Sequence, residues 1–209
     1  MASAITPHRG QLPRCGPGPP GAQIDDLLVA GECAGLRWTR GEETGLSLLR
    51  FEGELLVQSW SAARHTGGGP WPNAGVTAEV VPLAIKRAAA DRSSTHATME
   101  RYFAIRADVS RADELREMFR EPMVVHGPGP TRVENLDEFV VRVKSEKDAD
   151  PLLAFRADGV LCAGDRALLR WSYLKGEAVA AAGLTLYALD GAVVVERWQT
   201  SLREGVPWM

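Results

Sequence analysis

Two polar side chains interrupt apolar segments of the sequence and could transfer protons. His126 ends the short run MVVH before a Gly-Pro turn, and its imidazole, with an ordinary pKa of about 6.5, could accept a proton near neutral pH. Glu196 interrupts the run VVVERW, where an unpaired carboxylate would be costly to bury. A carboxylate facing His126 could orient the ring and stabilise the imidazolium, or act as a general base with a raised pKa.

Both side chains also have a purely structural interpretation. His126 could cap a strand or bond a backbone carbonyl. Glu196 could pair with Arg197, or with an arginine on a neighbouring strand, at a solvated edge of a sheet. The residue types alone leave the two interpretations open.

The sequence contains no motif that indicates a metal site, a nucleotide site or another type of catalysis. Cys15, Cys33 and Cys162 lie far apart without CxxC spacing, which favours free thiols in a reducing cytoplasm. The remaining histidines, His8, His65 and His96, have no acidic cluster at ligand spacing. GxGxxG, P-loop and GxSxG patterns do not occur. We therefore expect no metal and no cofactor.

The composition of the chain limits which classes of protein and which kinds of partner are expected. The chain has 209 residues, of which 45% are hydrophobic and 24% charged, as is ordinary for a globular protein. The formal net charge of −3 gives no basic surplus for binding phosphates. The N-terminus lacks the apolar region of a signal peptide, and no apolar run approaches the length of a membrane span. We expect a cytoplasmic protein without nucleic-acid or membrane partners.

Pro- and Gly-rich segments divide the chain. Residues 1–22 contain PRCGPGPPG and are predicted to be a disordered tail. Residues 23–66 show short apolar runs separated by turns, which is typical of antiparallel strands. Residues 67–80 contain GGGPWPNAG and form the predicted linker, and residues 81–209 form the larger domain. In that domain we predict helices over 82–106, 110–120 and VENLDEFVVRVKSEKD, a short strand at MVVH, and strands near 152–162, 166–175, 182–190 and 192–200.

The strands of the first segment repeat those of the second. Residues 24–38 align without gaps to 157–171 with eight identities in fifteen, and residues 45–60 align to 183–198 with six in sixteen. Chance similarity of two amphipathic hairpins is the alternative, but the matched Gly, Arg-Trp and terminal Trp positions favour duplication. The first copy has no counterpart of the helices, and a sheet with one apolar face needs a covering layer.

The order of elements, ending in the hairpin GLTLYALDGAVVVERW, resembles the nuclear transport factor 2-like superfamily. The resemblance is to its SnoaL-like polyketide cyclase and ketosteroid isomerase branches in particular, and it covers about residues 93–201. It implies an α+β fold with cone-like helices on a curved, mostly antiparallel sheet around a pocket, here with an extra N-terminal antiparallel half-sheet. Dimers of this superfamily pack sheet on sheet, which implies a pseudo-dimer within the chain or a homodimer.

The resemblance also implies site residues. The stretch MERYFAIRADVSRADELREMFREPMVVHGPG is similar to the opening of ketosteroid isomerases, whose helix tyrosine falls on Tyr102 and whose base position falls on His126. A third family acid falls on Thr185, so two expected carboxylates are absent, which argues against a steroid isomerase. Tyr102 could donate a hydrogen bond to a developing oxyanion, or it could be a core aromatic with its hydroxyl at the edge.

Alternation of side chains along strands adds further candidates. Tyr187 shares a face with Thr185, and the equivalent family positions on the next strand fall on Glu196 and Trp198. We predict catalytic roles for His126, Tyr102 and Glu196, and substrate contacts for Thr185, Tyr187 and Trp198.

Two functions remain open at this stage. The first is a cofactor-independent enzyme of secondary metabolism that isomerises, cyclises or opens an epoxide of a hydrophobic polyketide-like molecule by acid-base catalysis. The second is a non-catalytic small-molecule-binding or assembly module of the same fold. A cavity where His126, Glu196 and Tyr102 converge would favour the enzyme, whereas a cavity filled by Trp198, Tyr187 and Leu186 would favour the module.

Overall fold

A computed structural model describes residues 10–11, 21–65, 92–127 and 132–203. Most of the predicted tail, the whole predicted linker and the start of the helix predicted from residue 82 lie outside these residues. The strands are β1 Gly10–Gln11, β2 Gln23–Ala30, β3 Cys33–Arg40, β4 Glu43–Glu52, β5 Leu55–His65, β6 Phe119–His126, β7 Arg132–Glu134, β8 Leu153–Ala163, β9 Arg166–Lys175, β10 Ala178–Asp190 and β11 Val193–Arg203. The helices are α1 Arg92–Ala107, a 3-10 helix Val109–Glu114, α2 Leu115–Met118 and α3 Leu136–Ala149.

The first five strands form one antiparallel sheet, here called sheet A, in the order β1-β5-β4-β3-β2. Consecutive strands pair as hairpins with tight turns. Gly31, for example, has a φ of +59° in the β2-β3 turn, a backbone conformation that glycine adopts without steric cost. Sheet A is the predicted N-terminal half-sheet.

The other six strands form sheet B, in the order β7-β6-β11-β10-β9-β8. All neighbouring strands run antiparallel except β6 and β11, which pair in parallel. The helices cover one face of this sheet, and buried side chains such as Met99, Phe139 and Leu169 fill the space between. The predicted α+β fold with a mostly antiparallel sheet is thereby confirmed.

The second predicted helix is shorter than expected. It was predicted over 110–120, but the 3-10 turn and α2 end at Met118, and β6 already begins at Phe119. Asp108 caps the 3-10 helix by accepting a hydrogen bond from the backbone N–H of Ser110 at 3.2 Å. Because β6 starts early, it pairs with β11 from Phe119, opposite Val194, to His126, opposite Trp198.

Sheet A packs on the face of sheet B that the helices leave open. Leu46 and Leu48 of β4 belong to the same buried cluster as Leu184, Leu186 and Trp198 of sheet B. Two sheets packed in this way remove both apolar faces from water at once. The molecule therefore has three layers, namely helices, sheet B and sheet A, and each residue of β11 faces either the helices or sheet A.

The two sheets share local details that match the sequence repeat. The indole of Trp38 lies over Gly45, its partner in the β3-β4 ladder, and the indole of Trp171 lies over Gly183, its partner in the β9-β10 ladder. A Cβ atom at either glycine would overlap the ring. Common ancestry of the two sheets remains a prediction, but their hairpins are built alike.

Candidate functional site

A cavity of about 230 Å³ lies between the helices and sheet B. This volume is below the ~300–1,000 Å³ of most ligand pockets, so the space suits a small molecule. Its walls carry apolar rings together with an unusual number of charged and phenolic groups. They include Tyr102 and Arg106 from α1, Phe139, Arg142 and Glu146 from α3, and Phe155, Trp171, Tyr173, Thr185, Tyr187, Arg197 and Gln199 from sheet B.

Two tyrosines meet in the cavity wall. The rings of Tyr102 and Tyr187 are edge to face with centroids 5.8 Å apart. Burial, and then the neighbouring phenol of Tyr102, raise the pKa of Tyr187 well above its ordinary value, although the charge of Arg197 opposes this shift. Tyr187 therefore stays a neutral phenol at physiological pH.

Arg106 lies beside this pair in an ion-pair cluster. Its Nη2 atom donates to Glu146 Oε2 at 2.6 Å and to the hydroxyl of Tyr173, and that hydroxyl donates to the same carboxylate oxygen at 2.8 Å. Burial lowers the pKa of Arg106, but the favourable effects of Tyr102, Tyr173 and Glu146 outweigh it, and the net pKa is raised. The guanidinium is therefore a permanent positive charge in the wall.

The same cluster separates two cavities. A second space of about 220 Å³ is also lined by Arg106, Glu146, Phe155 and Tyr173, on the side of Leu153. The ion pair between Arg106 and Glu146 thus contributes to the wall of both spaces.

A second ion-pair cluster lies at the other side of the cavity. Arg197 Nη2 donates to Glu134 Oε2 at 2.7 Å, and Arg142 Nη1 lies 2.6 Å from Glu134 Oε1. Both guanidiniums lie over the ring of Phe139, with their central carbons 5.0 Å and 5.1 Å from its centre. The carboxylate of Glu134 therefore forms ion pairs with both arginines.

Three of the six predicted site residues, Tyr102, Thr185 and Tyr187, line the cavity. The Thr185 hydroxyl accepts a hydrogen bond from Trp171 Nε1 at 2.9 Å. Its oxygen is therefore held in place, and a ligand could meet its O–H hydrogen, its remaining lone pair or its methyl group.

The other three residues, His126, Glu196 and Trp198, lie on the opposite face of sheet B. His126 Nε2 lies 2.5 Å from Glu196 Oε1, and the imidazole stacks on the indole of Trp198 with centroids 5.2 Å apart and planes 11° from parallel. His126 is 1% exposed. The predicted pairing of His126 with Glu196 exists, but the predicted convergence of this pair with Tyr102 does not.

A β-bulge explains the difference. Leu189 pairs with Val194, but Ala188 pairs with Glu196, so Val195 is an extra residue in β11. An extra residue reverses which side chains face the cavity beyond it. Without the bulge, the two-residue turn would place Glu196 opposite Tyr187, on the face where the family resemblance had placed it. With the bulge, Arg197 takes that position.

Sequence reasoning missed six polar groups of the cavity, namely Arg106, Arg142, Glu146, Tyr173, Arg197 and Gln199. Arg197 and Gln199 were missed because the family resemblance placed Glu196 and Trp198 on the cavity face of β11. Arg106 follows Tyr102 by four residues on α1, so helical spacing alone places it on the same face. Glu146 had no such signal, because its role depends on how α3 packs against β9.

The described residues contain no group of histidines, cysteines or acids arranged to hold a metal ion. The helices in these same ranges are all too short or too polar to cross a membrane.

The cavity can offer neutral phenol donors, fixed guanidinium charges and one carboxylate, Glu146. These groups suit the binding of an oxygen-bearing molecule.

Comparisons with known proteins give similarity at the level of solved structures. No protein-family model matches the chain, and no curated protein matches it. The chain is similar to an NTF2-like protein of unknown function from Mesorhizobium loti, with 23% identity, a TM-score of 0.44, and coverage of 54% of this chain and 94% of that one. It is also similar to a SnoaL-like polyketide cyclase from Agrobacterium tumefaciens, with 14% identity, a TM-score of 0.43, and coverage of 52% and 91%.

A third similar structure is an NTF2-like protein of unknown function from Cytophaga hutchinsonii, at 12% identity and a TM-score of 0.43, covering 52% of this chain and 89% of that one. Each match spans about half of this chain. The names of these structures are those of the families that the sequence resembles.

Proposed function

We propose that the cavity between the helices and sheet B is the functional site, and that it binds a small organic molecule with an apolar body and oxygen-bearing groups. The buried pair of Tyr102 and Tyr187 carries this proposal, because two phenols in edge-to-face contact beside a buried guanidinium present donors to a cavity with apolar rings in its wall. Buried donors of this kind orient a ligand oxygen and do so more strongly than in water.

In one form of the proposal, the cavity binds a ligand and catalyses no reaction, which corresponds to the binding-module hypothesis. The His126–Glu196 pair lies across sheet B from the cavity, so it offers no base to a molecule bound there. In this form of the proposal the tyrosines and arginines select and hold a ligand.

A cofactor-independent isomerase or cyclase of SnoaL-like type is the second candidate, and Glu146 is the observation that favours it. This carboxylate lines the cavity together with Tyr102, Tyr187 and Arg106. Glu146 would accept a proton from a carbon next to a carbonyl group while Tyr102 donates a hydrogen bond to the carbonyl oxygen as it gains negative charge. Return of the proton to another carbon completes an isomerisation. In a cyclisation, the enolate carbon attacks a second carbonyl group, and the alkoxide that forms takes the proton back from Glu146.

The first experiment tests binding. We would screen the protein by saturation-transfer NMR against small cyclic ketones and keto acids, which match the volume and donors of the cavity. Gln199→Trp should block the cavity and remove the signals, while Val179→Trp, at an exposed position of sheet B outside the lining, should keep them. Signals that survive in the blocked variant would place the ligand elsewhere and refute the proposal.

The second experiment tests chemistry on the bound compounds. In D2O, a catalysed enolisation exchanges the hydrogens next to the carbonyl for deuterium, which NMR detects without knowledge of the natural substrate. Glu146→Gln should reduce this exchange by about two to four orders of magnitude, the usual effect of a positioned base. Glu138→Gln, an exposed acid on the same helix, serves as control. Binding without any exchange above the buffer rate would leave the binding module as the function.

A further inference from the structure

Charges around the cavity do not balance. Arg106 is matched by Glu146, whereas Arg142 and Arg197 share the single carboxylate of Glu134. Among the described groups of the two clusters, three guanidiniums therefore face two carboxylates. One positive charge is in excess.

The excess charge belongs to the cluster of Arg142, Arg197 and Glu134, which extends from the interior to the surface. The side chain of Arg197 is 5% exposed, and so is that of its partner Glu134, while the side chain of Arg142 is 40% exposed and reaches solvent. A buried charge without full compensation is unfavourable unless an opposite charge comes close. Glu134 already pairs with Arg197, so its single charge leaves the cluster of two arginines with one unmatched positive charge. Arg142 and Arg197 both line the cavity, where a negatively charged group can approach them.

The position of Arg197 directs the compensating group toward the proposed ligand site. Arg197 lies opposite Tyr187 in the ladder between β10 and β11, and Gln199 lies opposite Thr185. All four side chains line the cavity. A guanidinium, an amide and two hydroxyls on one stretch of the wall form a set of donors suited to a planar oxygen pair.

We infer that the molecule bound in this cavity carries one carboxylate, held at the Arg197 and Gln199 end, with its apolar body against the aromatic wall. The inference rests on the proposed function, because it names the class of ligand for the same cavity. A single negative charge balances the single excess guanidinium. A phosphate dianion would leave one negative charge without compensation, so a carboxylate fits the wall better.

The test compares two molecules of nearly equal shape, 4-oxocyclohexanecarboxylate and its carboxamide, by isothermal titration calorimetry at pH 7. The wild-type protein should bind the carboxylate at least about tenfold more tightly, a ratio that corresponds to about 1.4 kcal/mol. Arg197→Gln should remove this preference by weakening the carboxylate and leaving the amide nearly unchanged. Arg170→Gln, which changes an arginine that faces sheet A, should keep the preference.

A second variant covers the case in which Arg197→Gln does not fold. Arg142→Gln removes the same excess charge at a half-exposed side chain and leaves the pair of Arg197 and Glu134 intact. It should also reduce the preference for the carboxylate to about twofold or less. A preference that persists in a folded Arg142→Gln protein would mean that the charge balance does not select the ligand.

The outcomes separate this inference from the proposed function. Equal affinity of the wild-type protein for the carboxylate and the amide overturns the inference and leaves the small-molecule site standing. Absence of binding by both compounds overturns the inference, and it overturns the proposed function as well when the panel of ketones and keto acids also gives no signal.

Discussion

The guanidinium carbon of Arg170 lies 4.3 Å from the ring centre of Trp60, on the other sheet. The guanidinium carbon of Arg37 lies 4.9 Å from the ring centre of Trp198. In the sequence repeat, Arg37 corresponds to Arg170 and Trp60 corresponds to Trp198. Each sheet therefore contributes an arginine to a tryptophan of the other, which is the reciprocal pattern of a two-fold interface.

The contact of Arg170 with Trp60 should be measurable as a coupling energy. Arg170→Leu and Trp60→Leu, made singly and together, should show a coupling of about 0.5–2 kcal/mol in the free energy of unfolding, as expected for a partly buried cation–π contact. Urea denaturation gives the four values. As a control, Trp38 belongs to a separate buried cluster with Ala34, Leu36 and Leu49 of sheet A, so its substitution should be additive with that of Arg170. A coupling near zero between Arg170 and Trp60 would show that the stacking adds nothing.

Gly45 and Gly183 should tolerate no side chain. Gly45→Ala and Gly183→Ala each place a methyl group into an indole, and we expect each to cost about 1–3 kcal/mol of stability, as overpacking does. Gly159→Ala, where no atom lies within 4 Å of the added carbon, is the control and should change little. Thermal denaturation compares the three, and equal melting temperatures would refute the close packing.

His126 should matter for stability and not for the cavity. His126→Gln removes the stacking on Trp198 and the contact with Glu196, and a buried polar group left without its partner costs about 1–3 kcal/mol. Ligand affinity should stay within about twofold, because sheet B lies between. The opposite result, lost binding or turnover with unchanged stability, would restore His126 as the proton acceptor predicted from the sequence.

Tyr187 should make stability fall at high pH. Its pKa is raised in the folded protein by burial first and Tyr102 second, so the phenol ionises in the unfolded chain near pH ~10 while it stays protonated in the folded one. The stability that it contributes is complete below pH ~10 and decreases as the pH rises above this value. Unfolding free energies measured between pH 8 and 11 should decrease less steeply for Tyr187→Phe. Parallel curves for the two proteins would contradict the assigned burial.

Removal of sheet A should expose an apolar face. A protein that lacks residues 1–75 would present Leu184, Leu186 and Trp198 to water, and large exposed apolar patches promote association. We expect aggregation, or a large loss of thermal stability, in light scattering and calorimetry. A truncated protein that stays soluble, monomeric and equally stable would mean that sheet A is dispensable for the fold.

The sequence was sufficient to predict most strands and helices, but it was insufficient to predict which side chains line the cavity. Hairpin turns and apolar alternation are local signals, and they predicted the strands of both sheets, while the resemblance to ketosteroid isomerases gave the position of Tyr102. The bulge at Val195 has no such signal, because Val is an ordinary strand residue and nothing local distinguishes it from its neighbours. That single residue decides whether Glu196 or Arg197 faces the cavity.

The ion pairs between helices and strands could not be predicted from the sequence either. Arg106 and Glu146 are forty residues apart. Glu134 ends a three-residue strand where the sequence predicted the start of a helix, and that helix begins only at Leu136. Their contacts follow from the packing of α1 and α3 on sheet B. Long-range packing of this kind is not encoded in the periodicity of any one segment.

The packing of sheet A on sheet B has a consequence for behaviour at low abundance. Two separate chains that associate through such faces come apart on dilution, because their encounter is bimolecular. Here both sheets belong to one chain, so each meets the other at an effective concentration set by the connecting segment and not by the amount of protein. The covering of sheet B is therefore independent of how many copies of the protein a cell contains.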